Sequence, residues 1–171
     1  MSRVTKNVRL LQQVDRWMGA PLCLVLTAYR RVRSWLSSGD GRAPQRIVFI
    51  KLAEQGSTVV AYDAISRAVA RVGREHVFFL VFEENRFILD ALDLIPRQNV
   101  LTVHTRSAVA TAGSGLARLF EIRRRRIDTC IDLEFLSRIS AAIAFLTGCR
   151  TRVGLHSYFN EGPYRGDLFT H

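Results

Sequence analysis

The chain has neither G-x-G-x-x-G nor G-x-x-x-x-G-K-[ST], the glycine-rich patterns that seat a dinucleotide pyrophosphate or a nucleoside triphosphate. A dinucleotide site of the usual Rossmann kind and a P-loop therefore have no basis in it. Cysteine is scarce: Cys23, Cys130 and Cys149 stand far apart among apolar neighbours, with no C-x-x-C and no Cys/His spacing. That excludes a disulfide scaffold and a zinc site, and implies buried, reduced thiols in a reducing compartment. His76, His104 and His156 show no metal spacing and read as structural or solvent-facing. Long apolar runs are missing too. Trp17–Tyr29 is 13 residues without a charge, short of the about 20 that a spanning helix needs. A secretory signal fits poorly, because the run starts late, lacks a small-x-small cleavage site and ends in Arg30-Arg31-Val32-Arg33.

Acidic residues are also few, 15 against 25 Lys and Arg, and the imbalance is local. Residues 1–46 hold nine basic side chains against Asp15 and Asp40, a net +7, whereas the other 125 residues hold sixteen against thirteen, a net +3. The basic excess thus belongs mainly to residues 1–36, which read as a helical arm, with one further run at Arg123–Arg126 placed as a solvated helix end. In the arm, Leu10, Val14, Trp17 and Met18 fall at i, i+4, i+7 and i+8, one helical stripe, with Pro21 as a kink. Basic flanks with Trp17 and Tyr29 near the two ends suit a helix lying in the headgroup layer of an anionic membrane. The competing expectation is packing on its own or a partner domain. Residues 37–45, with Ser37-Ser38-Gly39-Asp40-Gly41, have the composition of a linker, and a folded domain is expected over 46–171.

Strand and helix patterns alternate through that domain. Apolar runs at Ile47–Ile50, His76–Phe82, Asn99–His104, Ile127–Leu133 and Arg152–Leu155 predict five strands, of the kind buried on both faces in a parallel sheet. Helical periodicity links them: Ala61, Ile65, Ala68, Val69 and Val72, ending at Gly73; Phe87, Ile88, Ala91, Leu92 and Ile95, stopped by Pro96; a stretch from about Val109 to Arg126; and Phe135, Ile139, Ala142, Ile143 and Leu146, closing at Gly148. Glu83 and Glu84 suit the first turn of the second of these helices. The fold class predicted is α/β, a Rossmann-like parallel sheet with helices on both faces, preceded by the helical arm.

In such a sheet ligands gather at the carboxyl ends of the strands, which singles out the turn after the first strand in Arg46–Thr58, RIVFIKLAEQGST. This turn, Glu54-Gln55-Gly56-Ser57-Thr58, resembles the opening turn of the family 9 glycosyltransferases of heptosyltransferase type, which reads strand, short polar turn, Gly-Asp, helix. Here the glycine is Gly56, but Ser57 stands where the family has Asp. Ile127–Thr151 resembles the family's fourth strand and following helix, with Asp128, Asp132, Glu134, Ser137, Gly148, Arg152, Val153 and Gly154 in register with its "D-x-x-(I/V)-D-(L/F)-(Q/E)" and "G-(A/C)-x-x-R-(V/I)-G" patterns. The segment Tyr164–His171, YRGDLFTH, resembles the acceptor-side end of the family's N-terminal domain. The resemblance covers about residues 46–171. It implies the N-terminal, acceptor-binding half of a two-domain GT-B-type enzyme. The donor, a nucleotide sugar of the ADP-linked kind, would be held by a C-terminal domain that this sequence lacks, so that the chain reads as a fragment. The implied setting is the cytoplasmic face of an inner membrane, with a glycolipid or glycan acceptor.

In the family the Asp after the loop glycine is the expected general base. A serine hydroxyl cannot take that role near neutral pH, so Glu54 in the same turn and Glu134 at the mouth of the fourth strand are the candidate catalytic carboxylates. Acceptor hydrogen bonding and a solvated loop position are the competing readings of Glu54. Ser57 and Thr58 read first as helix caps, with backbone N–H groups that could hold a phosphate. Together with Gly56, they and the strand-end cations Lys51 and Arg138 make the acceptor-binding set, although a solvated role fits each cation as well.

Two classes of function remain open from the sequence: the acceptor half of a glycosyltransferase, and a non-catalytic Rossmann-like module using its basic arm on membrane or nucleic acid. Nucleic-acid binders interleave aromatics with basic residues, whereas Trp17, Tyr29 and Trp35 flank an uninterrupted apolar run, which disfavours nucleic acid.

Overall fold

The computed structural model describes residues 3–34, 43–53, 55–135, 137–155 and 165–171. Its core is a five-stranded, all-parallel sheet in the order β3-β2-β1-β4-β5, built from β1 (Ile47–Ile50), β2 (Val77–Phe82), β3 (Val100–Val103), β4 (Thr129–Asp132) and β5 (Thr151–Val153). The predicted α/β fold is borne out. The three central strands are the apolar runs seen in the sequence, and side-chain alternation sends their residues to two cores. Val48, Ile50, Phe78, Leu80, Leu101, Val103 and Cys130 face one layer; Ile47, Phe49, Val77, Phe79, Val81 and Val100 face the other.

The second layer is closed by helices α2 (Gln55–Val60), α3 (Tyr62–Val72) and α4 (Arg86–Leu92), through Ala61, Ile65, Ala68 and Leu89. The first layer is closed by α5 (Ala108–Arg124) and α6 (Arg138–Leu146), through Ile122, Ala141 and Ala144. All three cysteines are free and buried. Burial pushes the Cys149 thiol up to about 11 and that of Cys130 well above the usual range, so both are poor nucleophiles.

The structure differs from the sequence expectation at several helices. Glu83 and Glu84 form a separate 3-10 turn before α4, and that helix stops at Leu92, where Asp93 adopts a left-handed conformation with φ 45°. Its buried anchor is Leu89, while Phe87 is exposed. Of the basic run placed as a solvated end, Arg125 instead lies over the Phe78 ring at 5.2 Å and donates to Glu121 at 2.6 Å.

The N-terminal arm is a single helix, α1 (Arg3–Ser34), with Pro21 inside it, and its second half packs on α6. Asp15 Oδ1 accepts from the Ile139 N–H at 2.7 Å and from the Ser137 hydroxyl at 3.2 Å, so α1 helps to cap the N-terminus of α6. Gly19 is required there because a Cβ would stand 2.6 Å from Arg138 Cβ. Farther along, Tyr29 meets Phe145 edge-on and Arg30 pairs with Asp167. The expectation of packing on its own domain therefore holds for this face. Of the expected linker, residues 37–42 lie outside the described residues.

Candidate functional site

The strand order reverses between β1 and β4, both paired in parallel and in register from Ile47–Thr129 to Ile50–Asp132. The connections leaving β1 and β4 run to opposite faces of the sheet, so a crevice opens at the carboxyl ends of these two strands. The turns entering it are Lys51–Ala53 after β1 and Leu133–Phe135 after β4.

These turns are joined by one side chain. Glu134 Oε1 accepts the backbone N–H groups of Leu52 at 2.9 Å and Ala53 at 3.1 Å, and Oε2 accepts from Lys51 Nζ at 3.0 Å. The Lys51 side chain is fully buried and the Glu134 side chain 12% exposed. The ammonium also stands 5.9 Å from the centre of the Phe135 ring. From the other side, the Leu52 carbonyl accepts from the Asn85 side-chain amide at 3.0 Å and from the Phe82 N–H at 3.2 Å. The first turn of the loop is thus fixed from β2 and β4 at once.

Beneath it lies a buried polar network that the sequence did not announce. Asp132, the last residue of β4, pairs with Arg165, and both are nearly inaccessible. Asp132 Oδ2 also accepts from the Ser140 hydroxyl at 2.9 Å, and Oδ1 accepts from the Glu134 N–H at 3.0 Å. Arg165 continues to the Ser140 hydroxyl at 2.9 Å and to the carbonyls of Ser137 and Leu155, each at 3.0 Å. Burial pushes the Asp132 carboxyl up to about 6, against the opposing pull of Arg165 and the hydrogen bonds from Glu134 and Ser140. The network sets the direction in which Glu134 leaves β4. Asp132, Glu134 and Tyr164–His171 were each picked out in the sequence, but nothing in the local pattern paired Asp132 with Arg165.

The candidate residues divide as follows. Lys51 and Glu134 are brought together at the switch point, but on each other: both Glu134 oxygens and the Lys51 ammonium are engaged within the protein. Arg138 packs against α1, with Asp15 at 3.7 Å and its aliphatic chain beside Gly19. Helix α2 begins at Gln55, two residues before the expected cap, so Ser57 and Thr58 lie inside it and Thr58 is buried. Gly56 is exposed, with nothing within 4 Å of where a Cβ would stand, so the surface beside it is open. Glu54 and the Ser57 side chain lie outside the described residues.

Farther along the same rim, His104 Nδ1 is 2.7 Å from Glu83 Oε2 and holds that carboxyl below the usual carboxylate range. A cavity of about 390 Å³ lined by Pro44, Arg46, Arg71 and His76 opens at the opposite, amino-terminal end of the sheet, away from the converging loops. Among the described residues, no group of three or more His, Cys, Asp or Glu side chains could hold a metal ion. No protein-family model matches the chain, and neither the curated proteins nor the solved structures contain a match to it.

Proposed function

We propose that the chain is the acceptor side of a glycosyltransferase moving a heptose-like sugar from a nucleotide sugar to a lipopolysaccharide-core or related glycan. The observation that carries the reading is the Glu134 carboxylate bracing Leu52 and Ala53, which fixes the turn leaving β1 at the switch crevice. Two of the stretches that resemble the family 9 enzymes, the turn after β1 and the Asp128–Glu134 stretch, lie on the elements joined by this brace.

On this reading Glu54 is the base. It takes the proton from the acceptor hydroxyl as that oxygen bonds to the anomeric carbon and the bond to the nucleoside diphosphate breaks. Glu134 is a positioning residue, because its oxygens already accept three hydrogen bonds. The open surface beside Gly56 takes the acceptor, and the ADP-linked donor belongs to a partner domain across the crevice.

The test is an amide-resolved NMR titration of the chain with a phosphorylated inner-core oligosaccharide and, separately, with ADP- and UDP-sugars. The oligosaccharide is expected to shift the amides of Lys51–Ala53, Gly56–Thr58 and Leu133–Phe135, with the nucleotide sugars binding no tighter than millimolar. Shifts confined to other surfaces, or a micromolar nucleotide-sugar affinity, overturn the assignment.

A further inference from the structure

The docking of α1 leaves its outer side uncovered. Gly19, Cys23 and Thr27 point into the domain. At about 3.6 residues per turn, Trp17, Met18, Val25 and Val32 fall on the opposite side, and they are 80%, 65%, 67% and 66% exposed. Leu24 and Tyr29 widen the strip, both more than half exposed. Contiguous apolar surface of this kind marks an interaction site.

We infer that this face docks the protein on an anionic lipid surface, with α1 lying in the headgroup layer. Charge selects the occupant. Helix α1 contains seven Lys and Arg (Arg3, Lys6, Arg9, Arg16, Arg30, Arg31 and Arg33) and one acidic residue, Asp15. That acid is turned inward onto Ser137 and Ile139 and Arg30 is paired with Asp167, so the helix keeps a net positive charge alongside its apolar strip. A second copy of the chain would bring the same positive helix against this one, and the repulsion disfavours self-association. Anionic lipid satisfies the cations and the apolar strip together. Trp17 and Tyr29 are 12 residues apart in the helix, roughly 18 Å along its axis, and both have the amphipathic rings that favour the interface. Among the described residues no helix is long and apolar enough to cross a membrane, which leaves α1 lying on the surface.

The geometry gives the docking a direction. Asp15 meets the start of α6 and Tyr29 meets Phe145 near its end, so the two helices run the same way. Residues of α1 before Asp15 therefore continue past the N-terminus of α6, on the side where β1 and β4 end. A bilayer under α1 lies alongside the crevice, within reach of the sugars of a membrane-held glycolipid. The docking itself does not depend on the glycosyltransferase reading.

The test is co-sedimentation of the full chain with phosphatidylcholine vesicles, with and without phosphatidylglycerol, at low and high salt. Val25→Glu and Val32→Glu are the variants, with Met18→Gln as a milder one; circular dichroism and Tm verify that each folds. Binding is expected only with phosphatidylglycerol, to weaken as salt rises, and to fall about tenfold or more in either Glu variant. Trp17 emission should shift to the blue on binding. Equal partitioning onto both vesicles at both salt concentrations overturns the inference, as does unchanged binding by all three variants. So does a dimer in sedimentation equilibrium that Val25→Glu dissociates, or binding to nucleic acid but not to vesicles.

Discussion

Glu134 and Leu52, 82 residues apart in sequence, are joined by a 2.9 Å hydrogen bond from the Leu52 N–H to the Glu134 carboxylate. Lys51 supplies the countercharge from a fully buried position. The carboxylate therefore closes the turn of one central strand from the end of the other. Breaking a buried pair by removing one partner typically costs about 3–5 kcal/mol. Because Glu134 keeps a little solvent, Glu134→Gln is expected near the lower end, about 3 kcal/mol by urea unfolding. The double variant Lys51→Met/Glu134→Gln should be the more stable of the two, since it leaves no buried ammonium facing an amide. A double variant that is the less stable sinks the view of Glu134 as a brace for that charge.

The Asp132–Arg165 pair predicts a pH dependence. The folded carboxyl is raised from an ordinary 3.8 to about 6, so between these values the folded state holds more protons than the unfolded one. Stability from this group is then present below the ordinary value and lost as pH rises through about 6. The measured quantity is the slope of unfolding free energy against pH, wild type minus Asp132→Asn. A difference slope that is flat between about pH 4 and 6 would show that Arg165 and its hydrogen bonds balance burial, and a rising one that they outweigh it.

Much of the fold could be read from the residues. The continuous runs IVFI and VFFLVF predict strands buried on both faces, and the helical period around Ile65 and Ala68 identifies the inner face of α3. What the period missed has one cause: a helix covered on two sides does not show a single apolar stripe. The stripe Phe135, Ile139, Ala142, Ile143 and Leu146 predicted the face of α6; Ala142 is fully buried as expected, but so are Ser140, Ala141 and Ala144 outside the stripe, because α1 lies on one side of α6 and the sheet on the other. Small residues permit both approaches. The site was legible as a place and less so as a set of contacts. Strand order put Lys51 and Glu134 at one crevice, but a contact between residues 83 apart leaves no trace in local pattern. Arg138 looked equally available to a ligand, and only the docking of Asp15 and Gly19 assigns it to α1.

The seating of α1 has its own test. At Gly166, with φ 67°, a Cβ would stand 2.5 Å from Thr27 Oγ1 and 2.9 Å from the Cys23 carbonyl oxygen. Gly166→Ala combines an unfavourable backbone conformation with a collision against α1, and a loss of about 1–3 kcal/mol is expected. Asp15→Ala removes the bridging cap on α6 and the long pairing with Arg138, and should cost about 1 kcal/mol. Limited proteolysis reads where the loss falls: both variants should be cut sooner within α1 while the sheet stays resistant. Cleavage that starts in the sheet would mean that α1 is not the element released.

The proton acceptor is the most exposed part of the functional proposal, and a pair of substitutions decides it. In the enzyme assembled with a donor-binding domain, Glu54→Gln keeps size and hydrogen bonding but removes the base, and loss of a general base typically lowers kcat by about 10²–10⁴. Acceptor affinity, read on the present chain by the same NMR titration, should stay nearly unchanged. Glu134→Gln should instead weaken acceptor binding as well as turnover, because it loosens the turn that carries Leu52 and Ala53. Ser57 lies inside α2 rather than at its start, so Ser57→Ala gives up no helix cap and should change stability by less than about 0.5 kcal/mol. The discriminating measurement is kcat against acceptor affinity for all three. If Glu54→Gln retains full kcat while Ser57→Ala loses it, the carboxylate is not the base, and the loop acts by positioning the acceptor while the proton leaves by another route.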